Sequence, residues 1–287
     1  YEVVAQSFVN NDADSFVSAP RRVTVRGADA GGIELKLAPR ASIAGKIVVE
    51  NQPNDCEAKR RFSIEEAVIS LRRDEKTPEL QIIYRGYLSD AAPNEKGEFA
   101  IRHIDPGRYF VEPRLPAENW YVKSISAATS APAGPNARRP AAGSDIARSG
   151  VALKAGEKLT GLAVTIASGA ASLSGKVIAA KEGARLPTRV RVHLAPAEPA
   201  GAGNVLRYAE AMVRAGAAFA FNNIAPGKYW LVARAALDEE PGDRQSTPVA
   251  WDANERAKLR KEAEAMKIEV ELKPCQRVAD QIVKLAR

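Results

Sequence analysis

Apolar and polar residues alternate along most of this chain, and the alternation itself recurs. Residues 98–111 read EFAIRHIDPGRYFV and residues 218–232 read AFAFNNIAPGKYWLV. Phe99, Ile104, Pro106, Gly107 and Tyr109 match Phe219, Ile224, Pro226, Gly227 and Tyr229 at a constant offset of 120 residues. A period of two belongs to a strand with one buried face, so each copy predicts two strands meeting at Pro-Gly. Proline presets φ at the first turn position and glycine accepts a positive φ at the next, which predicts a hairpin-like type II corner.

Other strands repeat around these corners, and internal repeats determine the architecture. ASIAGKIV at 41–48 and ASLSGKVI at 171–178 hold Gly45 and Gly175 in the same place. Downstream, Ala67, Ile69 and Leu71 in one copy and Val190, Val192 and Leu194 in the other each line one side of a strand. A further alternation occurs as Ile33, Leu35, Leu37, then Leu162, Val164, Ile166, then Ile268, Val270, Leu272. The first two instances run into a Gly-Lys strand, and the third runs into residues 278–285, which read as another opening strand. YEVVAQ at Tyr1 parallels YFVEPR and YWLVAR, the stretches that begin at the corner tyrosines.

These repeats divide the chain into 1–38, the closing part of a preceding sandwich; 39–168, a complete sandwich; and 169–287, a second one with a terminal strand. One helix is expected at 252–266, with Asp252 as N-cap, Glu255 in the capping-box position, and Leu259, Ala263 and Met266 on one face. Residues 205–214 carry helix formers but occupy the slot of residues 81–88 in the other copy, and are read as extended. Residues 126–149 are rich in Ala, Pro, Gly and Ser without periodicity, and are read as a mobile loop. The expected fold class is therefore mainly β: tandem antiparallel Greek-key β-sandwiches, prealbumin-like or Ig-like, with one short helix.

A Gly-Lys strand followed by Gly-x-Phe and then Ile-x-Pro-Gly-x-Tyr resembles the carboxypeptidase regulatory-like repeats, prealbumin-like relatives of the Cna-B-type surface modules. The resemblance covers residues 40–112 and 170–233. The stretch from Tyr121 to Ile125, with GVALKAGEKLTGLAVTI after it, is similar to long secreted or envelope proteins of some bacteria. It implies a non-catalytic structural, adhesion or assembly module that is secreted, periplasmic or at the cell surface. Its expected partners are other modules of the same parent protein, with a polysaccharide or a surface protein as a further possibility. Cna-B relatives can carry a Lys-Asn isopeptide bond, which draws attention to Lys46 and Lys176; no asparagine stands at a matching place in either closing strand, and both lysines are read as solvated.

With 45% hydrophobic and 27% charged residues the chain has the composition of a globular protein. It contains no apolar run near the ~20 residues that a membrane span requires. The net charge of +7 is dispersed, with no basic stripe interleaved with aromatics, so nucleic acid is not an expected partner. Cys56 and Cys275 have no metal-ligand spacing, and whether they pair is open at this point. No phosphate loop, zinc set or dinucleotide fingerprint appears, so no cofactor is implied. His103 and His193 are read as exposed or structural. Asn10, Asp12 and Asp14 have the alternate spacing of a calcium loop, but Ser15 replaces its glycine and Arg21 its bidentate carboxylate, which leaves an ordinary polar loop.

The remaining candidate chemistry is aromatic. Sugars stack on exposed rings, and Trp120, Tyr121 and Trp230 are the candidate ligand-binding residues of an accessory domain that would bind carbohydrate or peptide. Tyr229 is the recurrent ring and hence the core one; alternation then turns Trp230 outward. Unmatched opening and closing strands at the two ends also raise strand-mediated self-association.

Overall fold

The computed structural model describes residues 1–7, 15–27, 29–50, 56, 63–74, 90–115, 119–127, 137–138, 144–181, 183–236 and 252–286, and the elements below are those of the described residues. In chain order they are β1 (Glu2–Val3), β2 (Gln6–Ser7), β3 (Phe16–Ser18), β4 (Arg21–Arg22), β5 (Leu37–Pro39), β6 (Ala41–Glu50), β7 (Val68–Arg73), β8 (Asp90–Ala91), β9 (Glu98–Ile104), β10 (Gly107–Arg114), β11 (Trp120–Ala127), β12 (Ala137–Arg138), helix α1 (Ile146–Ser149), β13 (Val151–Leu153), β14 (Lys158–Ser168), β15 (Ala171–Ile178), β16 (Val190–Pro196), β17 (Ala209–Met212), β18 (Ala218–Ile224), β19 (Gly227–Ala235), helix α2 (Ala253–Met266), β20 (Glu269–Leu272) and β21 (Arg277–Lys284). Tyr1–Lys46, Val68–Glu112 and Ser126–Ala163 form one compact unit; Ile47–Ala67, Pro113–Ile125 and Val164–Arg287 form the other.

The second unit is a mainly antiparallel β-sandwich. One layer has the order β18-β15-β21 and the other β17-β16-β19-β20. Only β15–β21 is parallel among these pairs, Lys176 facing Ile282 and Val177 facing Val283. Inward-facing residues of both layers share one core: Leu173, Val177, Phe219, Phe221 and Val283 meet Val190, Val192, Leu194, Tyr229, Leu231, Val270 and Leu272. Burial of apolar area on this scale is the main driving force for the fold. In the first unit the corresponding layers are β13-β10-β7-β8 and a sheet containing β6-β9. Ile43, Ile69, Phe99, Ile101, Tyr109, Val111, Val151 and Leu153 are its buried counterparts.

The expected corner is corrected by these strands. The Pro-Gly corner is not a hairpin, because β9 and β10, like β18 and β19, lie in different sheets: the chain arches from one layer to the other. The corner glycine has a positive φ in the second copy, Gly227 at 146°, but not at Gly107, and in both copies the residue before the corner isoleucine is left-handed, His103 at φ 58° and Asn223 at φ 58°. There β9 and β18 each carry an extra residue against their partner strand, a β-bulge that bends the strand into the arch.

The third alternation also divides differently. Val270 and Leu272 in β20 pair with the corner strand β19, as Val151 and Leu153 in β13 pair with β10, so these are the true equivalents. Leu162 corresponds instead to Gln281 in β21, since each places its carbonyl over a Gly-Lys strand glycine. Residues 278–285 thus close their own sheet and do not open a new one. Ile33 and Leu37 are exposed, at 38% and 45%, and Tyr1 is 85% exposed, unlike the corner tyrosines.

Helix α2 begins where expected. The Asp252 side chain accepts hydrogen bonds from the Asn254 and Glu255 amides, and Leu259 and Ala263 are buried with Arg256. Within 205–214, a 3₁₀ turn at Val205–Arg207 precedes strand β17. Inside the stretch read as a mobile loop, residues 126 and 127 belong to β11 and residues 146–149 form a helical turn capped by Asp145, whose side chain accepts from the Arg148 amide. Asn10, Asp12, Asp14 and residues 81–88 lie outside the described residues.

Gly45 and Gly175 are held by close packing. A Cβ on Gly175 would lie 1.9 Å from the Gln281 carbonyl oxygen and 2.9 Å from the Phe219 ring; on Gly45 it would lie 2.5 Å from the Leu162 oxygen. Backbone cannot yield as a flexible side chain can. Gly175→Ala is therefore expected to destabilise the second unit by about 3 kcal/mol. Gly31→Ala, which meets nothing within 4 Å, should leave stability unchanged; urea denaturation followed by circular dichroism compares the two.

Candidate functional site

The corner tyrosines tie the two layers together. Tyr109 Oη donates to the Asp105 carbonyl at 2.8 Å, and Tyr229 Oη donates to the Ala225 carbonyl at 2.6 Å. Each corner glycine lies under an arginine. Arg73 at the end of β7 donates from Nη2 to the Pro106 carbonyl at 3.0 Å, and a Cβ on Gly107 would meet its Nε at 2.8 Å. A Cβ on Gly227 would meet Arg207 Nη2 at 1.8 Å. Arg207 also donates from Nε to Tyr229 Oη at 3.3 Å and from Nη1 to Glu198 at 2.6 Å, with its guanidinium 5.0 Å from the Tyr229 ring centre. Its hydrogen bond holds the Glu198 carboxyl below the usual range. At Gly227 the backbone itself favours glycine, with φ 146°, while at Gly107 the atoms met are those of the Arg73 guanidinium.

Neither arginine was legible in the sequence. Arg73 ends a strand and Arg207 ends a 3₁₀ turn, so they do not share the 120-residue offset of the corners they cover.

The three candidate rings stand in two strands, Trp230 in β19 and Trp120 and Tyr121 in β11. Trp230 points away from the core, as alternation requires, but α2 packs on that outer face: Ala195, Tyr208, Val232, Leu259 and Ala263 form a cluster with Trp230 and Met266 against it. Arg260 ties the helix down, donating to the Pro196 and Ala197 carbonyls at 3.0 and 2.8 Å. Trp120 and Tyr121 are both half-buried. The Trp120 carbonyl accepts from Asn223 Nδ2 at 2.7 Å. Burial raises the Tyr121 phenol above its ordinary value, with Lys123 and Arg207 opposing and Glu50 adding to the shift.

Around Trp120 lies a clamp that each unit contains. In the second unit Gly169 and Ala170 donate from their amides to the Asn119 carbonyl at 2.9 and 3.0 Å, Cys275 to that of Gly169 at 3.1 Å, and Ser172 to that of Gln276 at 3.0 Å. In the first, Arg40 donates to the Ser15 carbonyl at 2.9 Å, Gly156 to that of Pro39 at 2.7 Å, and Ser42 to that of Glu157 at 2.9 Å. The left-handed bulge residue reaches the same leading segment in each: His103 Nδ1 lies 2.7 Å from Ser15 Oγ, as Asn223 reaches Trp120.

The closing element of the clamp differs. In the first unit Arg40 Nε and Asp105 Oδ1 form an ion pair at 2.8 Å, almost shielded from water. The corresponding residues in the second are Ala170 and Ala225. There, Cys275 holds at φ 63° the left-handed place that Gly156 holds at φ 69°, and it is disulfide-bonded to Cys56, with Cα atoms 5.2 Å apart and a sequence separation of 219. Constraining a loop of that length in the unfolded chain contributes about 5 kcal/mol in the chain-entropy limit.

The expected lysine and histidine roles are placed as follows. Lys46 and Lys176 are exposed. His193 is buried on the helix-covered face, with Nε2 3.5 Å from Arg234 Nη2 and Nδ1 3.8 Å from Glu210. Among the described residues, no cluster of His, Cys, Asp and Glu could hold a metal ion, and no helix is long and apolar enough to cross a membrane.

No family model and no curated protein matches this sequence. Among solved structures, the chain is similar to the Bacillus anthracis TIE protein at 10% identity and TM-score 0.24, the match covering 98% of this chain and 40% of that one. It is similar to GBS52, the minor pilin of Streptococcus agalactiae, at 10% identity and TM-score 0.27, covering 86% and 97%. A single B repeat unit of the Staphylococcus aureus collagen binding surface protein is similar at 12% identity and TM-score 0.24, covering 69% and 87%. The assignment of this chain as a mainly β sandwich rests on the strands described above.

Burial, with help from Arg234 and Arg191, lowers the His193 pKa to about 3. The unfolded chain, with an ordinary imidazole near 6.5, binds a proton that the folded chain refuses between those two values. Stability contributed by the neutral ring is thus complete above pH ~6.5 and is lost as pH falls toward ~3, by up to about 5 kcal/mol. His193→Gln should flatten this acid limb relative to the parent protein in a pH series of urea midpoints.

Proposed function

We propose that this chain is a non-catalytic structural, adhesion or assembly element of a secreted or cell-envelope bacterial protein, built from carboxypeptidase regulatory-like repeats. The observation that carries the reading is the clamp made twice from the same backbone groups. A repeated clamp lets each sandwich hold the strand that leads into it, which is what a run of stiff spacer modules requires. Its natural partners are further modules of the same polypeptide. The disulfide supports an oxidising compartment outside the cytosol. Trp230 packs beneath α2 and Trp120 lends its backbone carbonyl to the clamp, which supports the spacer over an accessory binding domain.

In this reading, Trp120→Ala and Trp230→Ala lower the melting temperature by several degrees, about 1 to 3 kcal/mol each. Retention on insoluble peptidoglycan, cellulose or chitin stays at the level of an unrelated control protein for parent and variants alike. Saturable retention by the parent, lost in either variant without a change in melting temperature, would overturn the spacer reading in favour of the binding domain.

A further inference from the structure

We infer that the Cys56–Cys275 disulfide is a tension bypass, one that fixes how far the chain can be drawn out when it is pulled between its ends. The inference rests on the spacer reading, since a spacer is a part that transmits force. A covalent bridge carries load that would otherwise pass through the backbone between its two residues. Here that span is 219 of 287 residues. Nearly all of the second unit's clamp and core, from β15 through β20, lies inside it and is shielded, as are the β9–β10 corner and its Arg73 cover.

The placement of the bridge matches this role. Cys275 is anchored on the clamp by its own amide bond to the Gly169 carbonyl, so load entering at the sulfur meets a hydrogen-bonded turn. A side chain at a left-handed position is disfavoured, and glycine fills it in the first unit at Gly156. Cysteine takes this strained place in the unit that lacks the Arg40–Asp105 ion pair. The two clamps share a frame, and the one without an ionic closure has a covalent one.

Only the bridge holds the bypass closed. A small dithiol supplies two electrons and two protons: the Cys56–Cys275 S–S bond breaks, two thiols form, and the dithiol is oxidised to its own cyclic disulfide. The shielded span then becomes extensible.

Single-molecule pulling of the full chain from its two termini tests this. At ~3.5 Å per residue, the unreduced protein should yield no more than about 240 Å of contour, from about 68 residues outside the bridge. Adding the dithiol should release about 750 Å more, a roughly fourfold gain. Cys275→Gly, which restores the residue found at the matching turn of the first unit, should give the long contour without reductant. Full contour from the unreduced parent protein, or free thiols at Cys56 and Cys275 in non-reducing peptide mass mapping, would overturn the bypass. Saturable binding to a polysaccharide, by contrast, would remove the spacer reading while leaving these contour lengths as stated.

Discussion

A phenol hydrogen-bonded to the carbonyl four residues upstream is the contact on which both sandwiches depend. Each sandwich must send its chain from one layer to the other without leaving a buried polar group unpaired. The corner tyrosine does both tasks, because its ring fills the core of one layer while its oxygen ties the arch that leaves the other. Proline, which has no amide proton to satisfy, stands inside that arch. Glycine follows, at φ 146° in the second arch, and in each arch a guanidinium lies over it. The left-handed bulge just before the arch aims His103 or Asn223 outward, where it meets the leading segment. Core, arch and clamp therefore belong to one continuous chain of requirements.

The parts of this scheme that were legible in the sequence are those whose members are close together along the chain. Phe99 through Tyr109 and Phe219 through Tyr229 recur at a fixed offset because bulge, arch and corner strand form one short local structure. Gly45 and Gly175 were visible for the same reason, although the carbonyls that exclude a side chain there come from β14 and β21. Asp252 announced its helix because capping is a local hydrogen-bonding problem.

What escaped the sequence lies in contacts between distant elements. Arg73 and Arg207 arrive at equivalent places from unlike secondary structure, so no constant spacing connects them. The clamp is made mostly of backbone amides and carbonyls, which any residue supplies; only a left-handed glycine at 156 and cysteine at 275 mark it. Periodicity could not tell β20 from β14, because both are apolar alternations and differ only in which neighbour they pair with. Trp230 was placed on the outer face by alternation, but its cover, α2, comes from residues later in the chain. The pairing of Cys56 with Cys275 depends on a distance between loops that no local pattern encodes.

The disulfide also gives the repeats an order. Judged by backbone alone, the two sets of motifs could trade places, since their corners, Gly-Lys strands and clamps superimpose in kind. Their cysteines do not permit it: Cys56 follows the earlier Gly-Lys strand, Cys275 precedes the last strand of the later set, and neither set holds a pair of its own. Gene duplication that copied a single set would strand an unpaired thiol in each product, so such an array can lengthen cleanly only by copying both sets together.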